Sequence, residues 1–296
     1  MLLEMAIGDA YGAGFEYASA EVIEARNDLD GYVRHQKHAI SPGRYTDDTQ
    51  MSIAVAEALL SGEPWTPQLL ARHFVATFKR DPRLGYAGRF YSFLQSVEDS
   101  EDFLARIVSS SDKSGAAMRA APLGVLQDVR EVVRRCRVQA AVTHDTPDGI
   151  NAAVAAALLS HYCLYNLGPK NQVGAFIEAQ VPGAWADPWL GKVGSKGWMS
   201  VRAAITALVD SSGMAELLRH CIDFGGDVDT VAAIALAAGS CSAEIAQDLP
   251  DALYWGLENG PYGRDFLLGL DRQLIGLAQR PSPVPLDAQQ PRPAHD

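Results

Sequence analysis

Six stretches of this chain, Ile53 to Leu60, Leu69 to Phe78, Val129 to Val142, Ile150 to Leu164, Val201 to Leu208 and Val231 to Ala238, are rich in Ala, Leu and Val and lack period-two alternation. That pattern argues against half-buried strands and predicts helices. Several of the six are apolar nearly all round, as a helix must be when other helices surround it. The expected architecture is therefore all-α: a compact, single-domain, multi-helix fold with helices at its centre. Leu2 to Ala10 reads as a further helix. Loops are marked by Gly and Pro at Ser41-Pro42-Gly43, Gly62 to Pro67, Gly168-Pro169-Lys170, Val181 to Gly197 and Asn259-Gly260-Pro261. No glycine-rich stretch joins a strand to a helix, so the dinucleotide and phosphate-loop fingerprints are missing.

A chain of 296 residues, 48% of them hydrophobic, has material for one sizeable core. Neither an internal repeat nor a shift in composition marks a second domain. Residues 1–279 read as one helical domain. Residues 280–296, with Pro281, Pro283, Pro285, Pro291 and Pro293, read as a Pro-rich tail that cannot bury a core and is expected to be disordered. No apolar run approaches the length of a membrane span, and no basic segment leads into an apolar stretch and cleavage site, so no membrane partner is expected and cytoplasmic residence is. Cys136, Cys163, Cys221 and Cys241 are scattered among apolar residues, which suits buried thiols better than zinc ligands or disulfides. A formal net charge of −11 argues against a double-stranded nucleic-acid partner. It does not exclude a nucleotide-like small molecule, because bound metal can invert the field inside an acidic cleft.

Two acidic strings carry the chemistry: Thr46-Asp47-Asp48-Thr49, and Gly225-Gly226-Asp227-Val228-Asp229-Thr230. Each stands directly before an apolar helical stretch, and taken alone each is an ordinary helix cap with acidic residues in the first turn. A cap needs only one oxygen acceptor, however, whereas each string has two carboxylates and a threonine. The Gly225-Gly226 pair also lets backbone approach a ligand closely. Brought together, the strings form an all-oxygen cage of the kind hard divalent cations require. Two unit charges about 4 Å apart repel by roughly 4 kcal/mol at an effective dielectric near 20, so four clustered carboxylates call for bound metal or protonation.

Five motifs in order, Ala6-Ile7-Gly8-Asp9-Ala10 with Gly12 and Glu16, then Thr46 to Met51, then Gly115-Ala116-Ala117-Met118-Arg119 with Ala121-Pro122-Leu123-Gly124, then Thr143-His144, then Gly225 to Thr230, together resemble the ADP-ribosylglycohydrolase family. The resemblance runs from Ala6 to Thr230 and implies an all-helical fold with two magnesium ions, or manganese, at the bottom of a cleft that holds ADP-ribose. It places Thr46, Asp47 and Asp48 as metal ligands on one side and Asp227, Asp229 and Thr230 on the other, with Asp229 bridging. It makes Glu16 the proton-handling or substrate-gating residue, and Asp47, Asp48 and Asp229 part of the catalytic centre. Asp9 is read as an acceptor that orients ligands, or equally as a structural cap.

Ser114 to Arg119 resembles the family's substrate loop, with Ser114, Gly115, Ala116 and Met118 near the pyrophosphate or ribose and His144 beside them. Tyr86, Phe90 and Tyr91 are candidates for stacking on adenine, although core packing explains them equally well. The implied reaction hydrolyses the bond between the distal ribose and an acceptor side chain, with an ADP-ribosylated protein as one possible partner. Arginine is favoured as acceptor because an acidic cleft suits a guanidinium leaving group, with Arg80, Arg83, Tyr86 and Arg89 in the stretch Lys79 to Phe93 as its rim. O-linked ADP-ribose on serine or acetate and ADP-ribosylated nucleobases are alternatives.

Two other classes compete, another helical metal enzyme and a catalytically silent relative. His144-Asp145 matches the dyad of helical HD-type phosphohydrolases, but His35, His38 and His73 lack suitable spacing and both acidic strings stay unexplained. Prenyl synthases need a third acidic residue where Thr49-Gln50-Met51 stands. A catalytically silent relative that binds ADP-ribose is disfavoured because all six matching ligand positions are intact.

Overall fold

A computed structural model describes residues 1–279, so the Pro-rich run at 280–296 lies outside the described residues. Within them the chain forms α1 (Leu2–Ala13), α2 (Ala20–Arg26), α3 (Asp47–Leu60), α4 (Pro67–Arg80), α5 (Gly88–Ser96), α6 (Ser100–Arg106), α7 (Val129–Ala141), α8 (Pro147–Leu164), α9 (Val173–Glu178), α10 (Gly197–Asp210), α11 (Met214–Asp223), α12 (Val228–Gly239), α13 (Asp251–Gly256) and α14 (Arg264–Ala278). Short 3-10 turns occupy Ser114–Ala116, Ala121–Val125 and Lys170–Gln172. Extended pairing among the described residues is confined to isolated bridges.

The helix expected to be apolar all round lies at the centre. All twelve residues of α12 are buried, and α1, α8, α10 and α11 pack around it. Its sequence, half of it Ala or Gly, presents little bulk, so neighbouring backbones come close. α1 comes so close that a Cβ at Gly8 would lie 2.6 Å from the carbonyl oxygen of Ala232. Burial of these faces supplies the main stabilising term, at about 25 cal/mol per Å² of apolar surface.

Helix starts follow local chemistry. Thr66 and Thr146 accept from Leu69 N and Gly149 N, each with a proline next to it at the first helical position (Pro67, Pro147). Asp271 of α14 accepts from Leu2 N at 2.8 Å and Leu3 N at 3.1 Å, capping α1 from another helix. No helix among the described residues is long and apolar enough to cross a membrane. The cysteines are free thiols; Cys136, Cys163 and Cys221 are buried and Cys241 is half-buried.

Candidate metal and substrate site

The first acidic string is held by α1. Asp9, fully buried, accepts from Thr46 N (2.9 Å), Thr46 Oγ1 (2.7 Å), Thr49 N (3.0 Å) and Thr49 Oγ1 (2.6 Å). It thus binds the orphan amides at the start of α3 and fixes the direction in which Asp47 and Asp48 leave the helix. Burial raises the Asp9 carboxyl, and the threonine hydrogen bonds pull it back toward the ionised form. Both expectations for Asp9 meet here, since capping the helix is what orients the carboxylates. The Thr46 hydroxyl spends its proton on Asp9 and can offer only lone pairs elsewhere.

The second string is set by a backbone bridge. Val193 N donates to Gly225 O at 2.9 Å and Asp227 N to Val193 O at 3.2 Å. Gly225 (φ 67°) and Gly226 (φ 97°) lie in the left-handed region, and a Cβ on Gly226 would collide with the carbonyl of Val193. At Gly226 the close approach is therefore to the protein's own backbone, while a Cβ at Gly225 would meet only Ile23 Cδ1 at 3.7 Å. Tyr17 N donates to Gly226 O at 2.8 Å, with Tyr17 itself in the left-handed region at φ 50°. That bond ties the segment carrying Glu16 to the turn carrying Asp227.

The strings face each other. One carboxylate oxygen from each of Glu16, Asp227 and Asp229 lies within 4.8 Å of the others, and the Asp48 carboxylate accepts from the Thr230 hydroxyl. Asp47, Asp48 and Asp229 are pushed well above the usual carboxylate range and Asp227 to about 6, by burial first and by one another's charge. Ser114 and Ser200 hydrogen-bond to Asp227 and oppose the rise. Asp48 Oδ1 and Asp229 Oδ1 are buried without a hydrogen-bond partner. Orphaned acceptors on neighbouring, mutually repelling carboxylates are what a hard divalent cation relieves, so the donor set fits magnesium or manganese. No histidine belongs to this oxygen cluster, and Asp145 of the His144-Asp145 pair is exposed, so the HD-type reading finds no footing.

Glu16, half-buried, accepts at Oε2 from His35 Nε2 at 2.9 Å. Ser114 reaches Asp227, and Gly115 faces His144, where a Cβ would sit 3.0 Å from Cε1 and 3.2 Å from Nε2. Arg119, fully buried, donates to Thr143 Oγ1 at 2.8 Å, and that hydroxyl is 2.7 Å from His144 Nδ1. Burial, with Arg119 beside it, holds the His144 imidazole down at about 3, so the ring is neutral near neutral pH. Ala116 and Met118 are buried, their carbonyls taken by Gln139 and Ser52.

Tyr86 turns inward. It is buried against Phe78, Phe90 and Tyr91, and its hydroxyl donates to Gln50 Oε1 at 2.7 Å, so its role here is packing rather than a stacking face open to ligand. Phe90 and Tyr91 are half-buried in the same cluster. Two arginines of the expected rim are engaged elsewhere: Arg83 is buried against Asp81 and Glu258 with its guanidinium 3.8 Å from the Tyr45 ring centroid, and Arg80 pairs with Glu57, while Arg89 is exposed. His35, Ser200 and the Tyr17 backbone escaped the sequence reading because their contacts join distant segments; only the Tyr17 position next to Glu16 offered a signal.

Residues 1–283 match the ADP-ribosylglycohydrolase family, and this chain belongs to it. It is 28% identical over 177 residues to the ADP-ribosylhydrolase ARH3 of Gallus gallus and likewise to that of Homo sapiens, in each case 53% of this chain and 47% of the relative. An uncharacterized protein of Archaeoglobus fulgidus is 29% identical over 164 residues, 53% of this chain and 52% of that one. The chain thus spans about half the length of these relatives. A solved structure described as an ADP-ribosylglycohydrolase-related protein complex superposes with a TM-score of 0.73 at 22% identity, covering 94% of this chain and 96% of the other, which establishes a shared fold.

Proposed function

We propose that this protein is a divalent-metal-dependent hydrolase that cleaves the glycosidic bond joining ADP-ribose to an acceptor side chain, releasing ADP-ribose. The reading rests above all on the unpartnered Oδ1 atoms of Asp48 and Asp229, on opposite acidic strings, within one cluster of carboxylates. Thr46, Asp47 and Asp48 at the start of α3 and Asp227, Asp229 and Thr230 at the start of α12 are the residues that would hold two magnesium or manganese ions. When bound, such ions neutralise the cluster, fix ribose hydroxyls and activate water near neutral pH.

The chain's own residues supply the rest. Glu16, beside Asp227 and Asp229, handles the proton exchanged between water and the departing side chain as oxocarbenium character develops on the sugar. Neutral His144, with Nε2 over Gly115, offers a hydrogen bond to the ribose or phosphate, and Ser114 and Gly115 shape the adjoining wall. The carboxylates favour a cationic leaving group, which makes ADP-ribosylarginine the first substrate to test.

The test is to incubate the protein with ADP-ribosylated arginine, serine, acetate or nucleobase substrates, with magnesium and with EDTA, and to measure free ADP-ribose. Release from the arginine substrate that EDTA abolishes is the expected result. Release from an O-linked or nucleobase substrate instead would reassign the linkage. Absence of release from all four, in protein shown to bind magnesium, would leave a silent ADP-ribose binder.

A further inference from the structure

A cavity of about 380 Å³ beside Arg44, Arg83 and Tyr262, apart from the acidic strings, is built around ion pairs to Asp81 and Glu258 that are already complete. His35 presents a different case. It is a buried histidine outside every motif, whose side chain points at the residue proposed to handle the proton.

Its hydrogen bonds assign its tautomer. Nδ1 accepts from two backbone amides, Lys37 N at 3.0 Å and His38 N at 3.2 Å, and so cannot carry a proton. The proton of the neutral ring must therefore be on Nε2, and Nε2 is the atom 2.9 Å from Glu16 Oε2. The ring is further confined by His38, whose centroid lies 4.8 Å away in an edge-to-face contact. The turn at residues 35–38 is thus built to aim one N–H donor at one carboxylate oxygen.

We infer that His35 is a positioning residue for Glu16: its Nε2–H fixes the Glu16 carboxylate beside Asp227 and Asp229 and leaves Oε1 to face the reacting groups. The inference rests on the hydrolase reading for its consequence in turnover, and on geometry alone for its structural content. A long, half-buried glutamate has several rotamers, and its carboxylate stands near two others that repel it. Without a donor on the outer side, that repulsion swings it toward solvent. A neutral donor opposes the motion without placing a second cation beside the metal cage.

Two substitutions separate this role from a purely structural one. Asn at 35 keeps an acceptor close to the position of Nδ1, so the turn is retained and the Glu16 bond lost. Gln at 35 keeps an N–H close to the position of Nε2, so the Glu16 bond is retained and the turn acceptors lost. His35→Asn should lower kcat by about 10–100-fold, the usual cost of losing an outer-shell partner, with ADP-ribose affinity unchanged, and His35→Gln should recover most of the loss. The reverse ranking, with His35→Gln the damaging change, would overturn the inference in favour of a turn-holding role.

A measurement independent of turnover completes the test. Imidazole ¹⁵N spectra of the magnesium-loaded protein should show His35 protonated at Nε2 only, with that signal moving in Glu16→Gln. An Nδ1-protonated or doubly protonated ring sinks the inference even if the enzyme is active. The expected tautomer in a protein that releases no ADP-ribose would uphold the placement and reject the hydrolase reading instead.

Discussion

Gly12 of α1 rests against the backbone of Asp229, so closely that a Cβ at position 12 would lie 2.8 Å from Asp229 N and closer still to its Cα. The residue proposed to bridge the two ions is thus positioned by the absence of a side chain on a neighbouring helix. Gly12→Ala should gain about 1 kcal/mol of helix propensity and lose about 1–3 kcal/mol to overpacking. Net destabilisation in urea, with loss of metal-dependent activity, is the expected result. Full activity in Gly12→Ala would show that the interhelical spacing does not set the cage.

Removing a ligand should have opposite effects in the two metal states. Asp48→Asn and Asp229→Asn each delete one of several buried like charges, so the EDTA-treated variants should melt at higher temperature than the parent. At magnesium near 100 times its Kd the parent gains about 2.7 kcal/mol, and the variants should gain far less and lose turnover. Melting curves with and without magnesium check both halves. A variant no more stable than the parent in EDTA would mean that the carboxylates are not held in mutual repulsion.

The pH dependence has a determined sign. Folding raises the Asp227 carboxyl to about 6 and also raises those of Asp47, Asp48 and Asp229, so the folded metal-free protein binds more protons than the unfolded chain above about pH 4. The contribution of these groups to stability is present at low pH and is lost as pH rises through the folded-state values, beginning with the window from about pH 4 to about 6. Metal binding displaces those protons, so magnesium affinity should climb over the same window. Titration calorimetry across that range, in two buffers of different ionisation heat, measures the proton release. A pH-independent affinity would contradict the raised carboxyls.

Tyr86→Phe distinguishes packing from ligand contact. It removes the buried bond to Gln50 and should cost about 1–3 kcal/mol of stability, while ADP-ribose affinity stays unchanged. A selective loss of affinity without loss of stability would return Tyr86 to the binding site.

Glu16→Ala should abolish turnover and largely retain ADP-ribose binding, because its carboxylate is placed for proton handling rather than for holding the nucleotide. A large fall in ADP-ribose affinity, read by calorimetry, would assign it a binding role.

The sequence was most legible where residue type and period act locally. The six Ala/Leu/Val-rich stretches are all helical; those apolar nearly all round have few other ways to be buried, whereas α4 and α7 bury one face and leave the other polar. The helices α2, α5, α6, α9 and α13, each of nine residues or fewer, span too few turns to establish a period. α11 and α14, each burying one apolar face, are not among the six. The acidic strings stood out since each exceeds what a cap requires. Glycine marks a close approach without saying what approaches: at Gly226 the neighbour is Val193, more than thirty residues earlier in the chain.

By itself, then, the sequence determined that helices would form, where the carboxylates stand along the chain, and which family's motifs they match. Tertiary structure alone decided that Asp9 would cap α3, that Glu16 would come to Asp227 and Asp229, that His35 would turn its Nε2 to Glu16, and that Tyr86 would face inward. The physical reason is range. Helix propensity and capping by neighbouring side chains such as Thr66 and Thr146 act within a few residues, whereas the Asp9 cap and a site of buried charge need partners from distant segments, and the packing of α1 against α12 and α3 brings those to hydrogen-bonding distance.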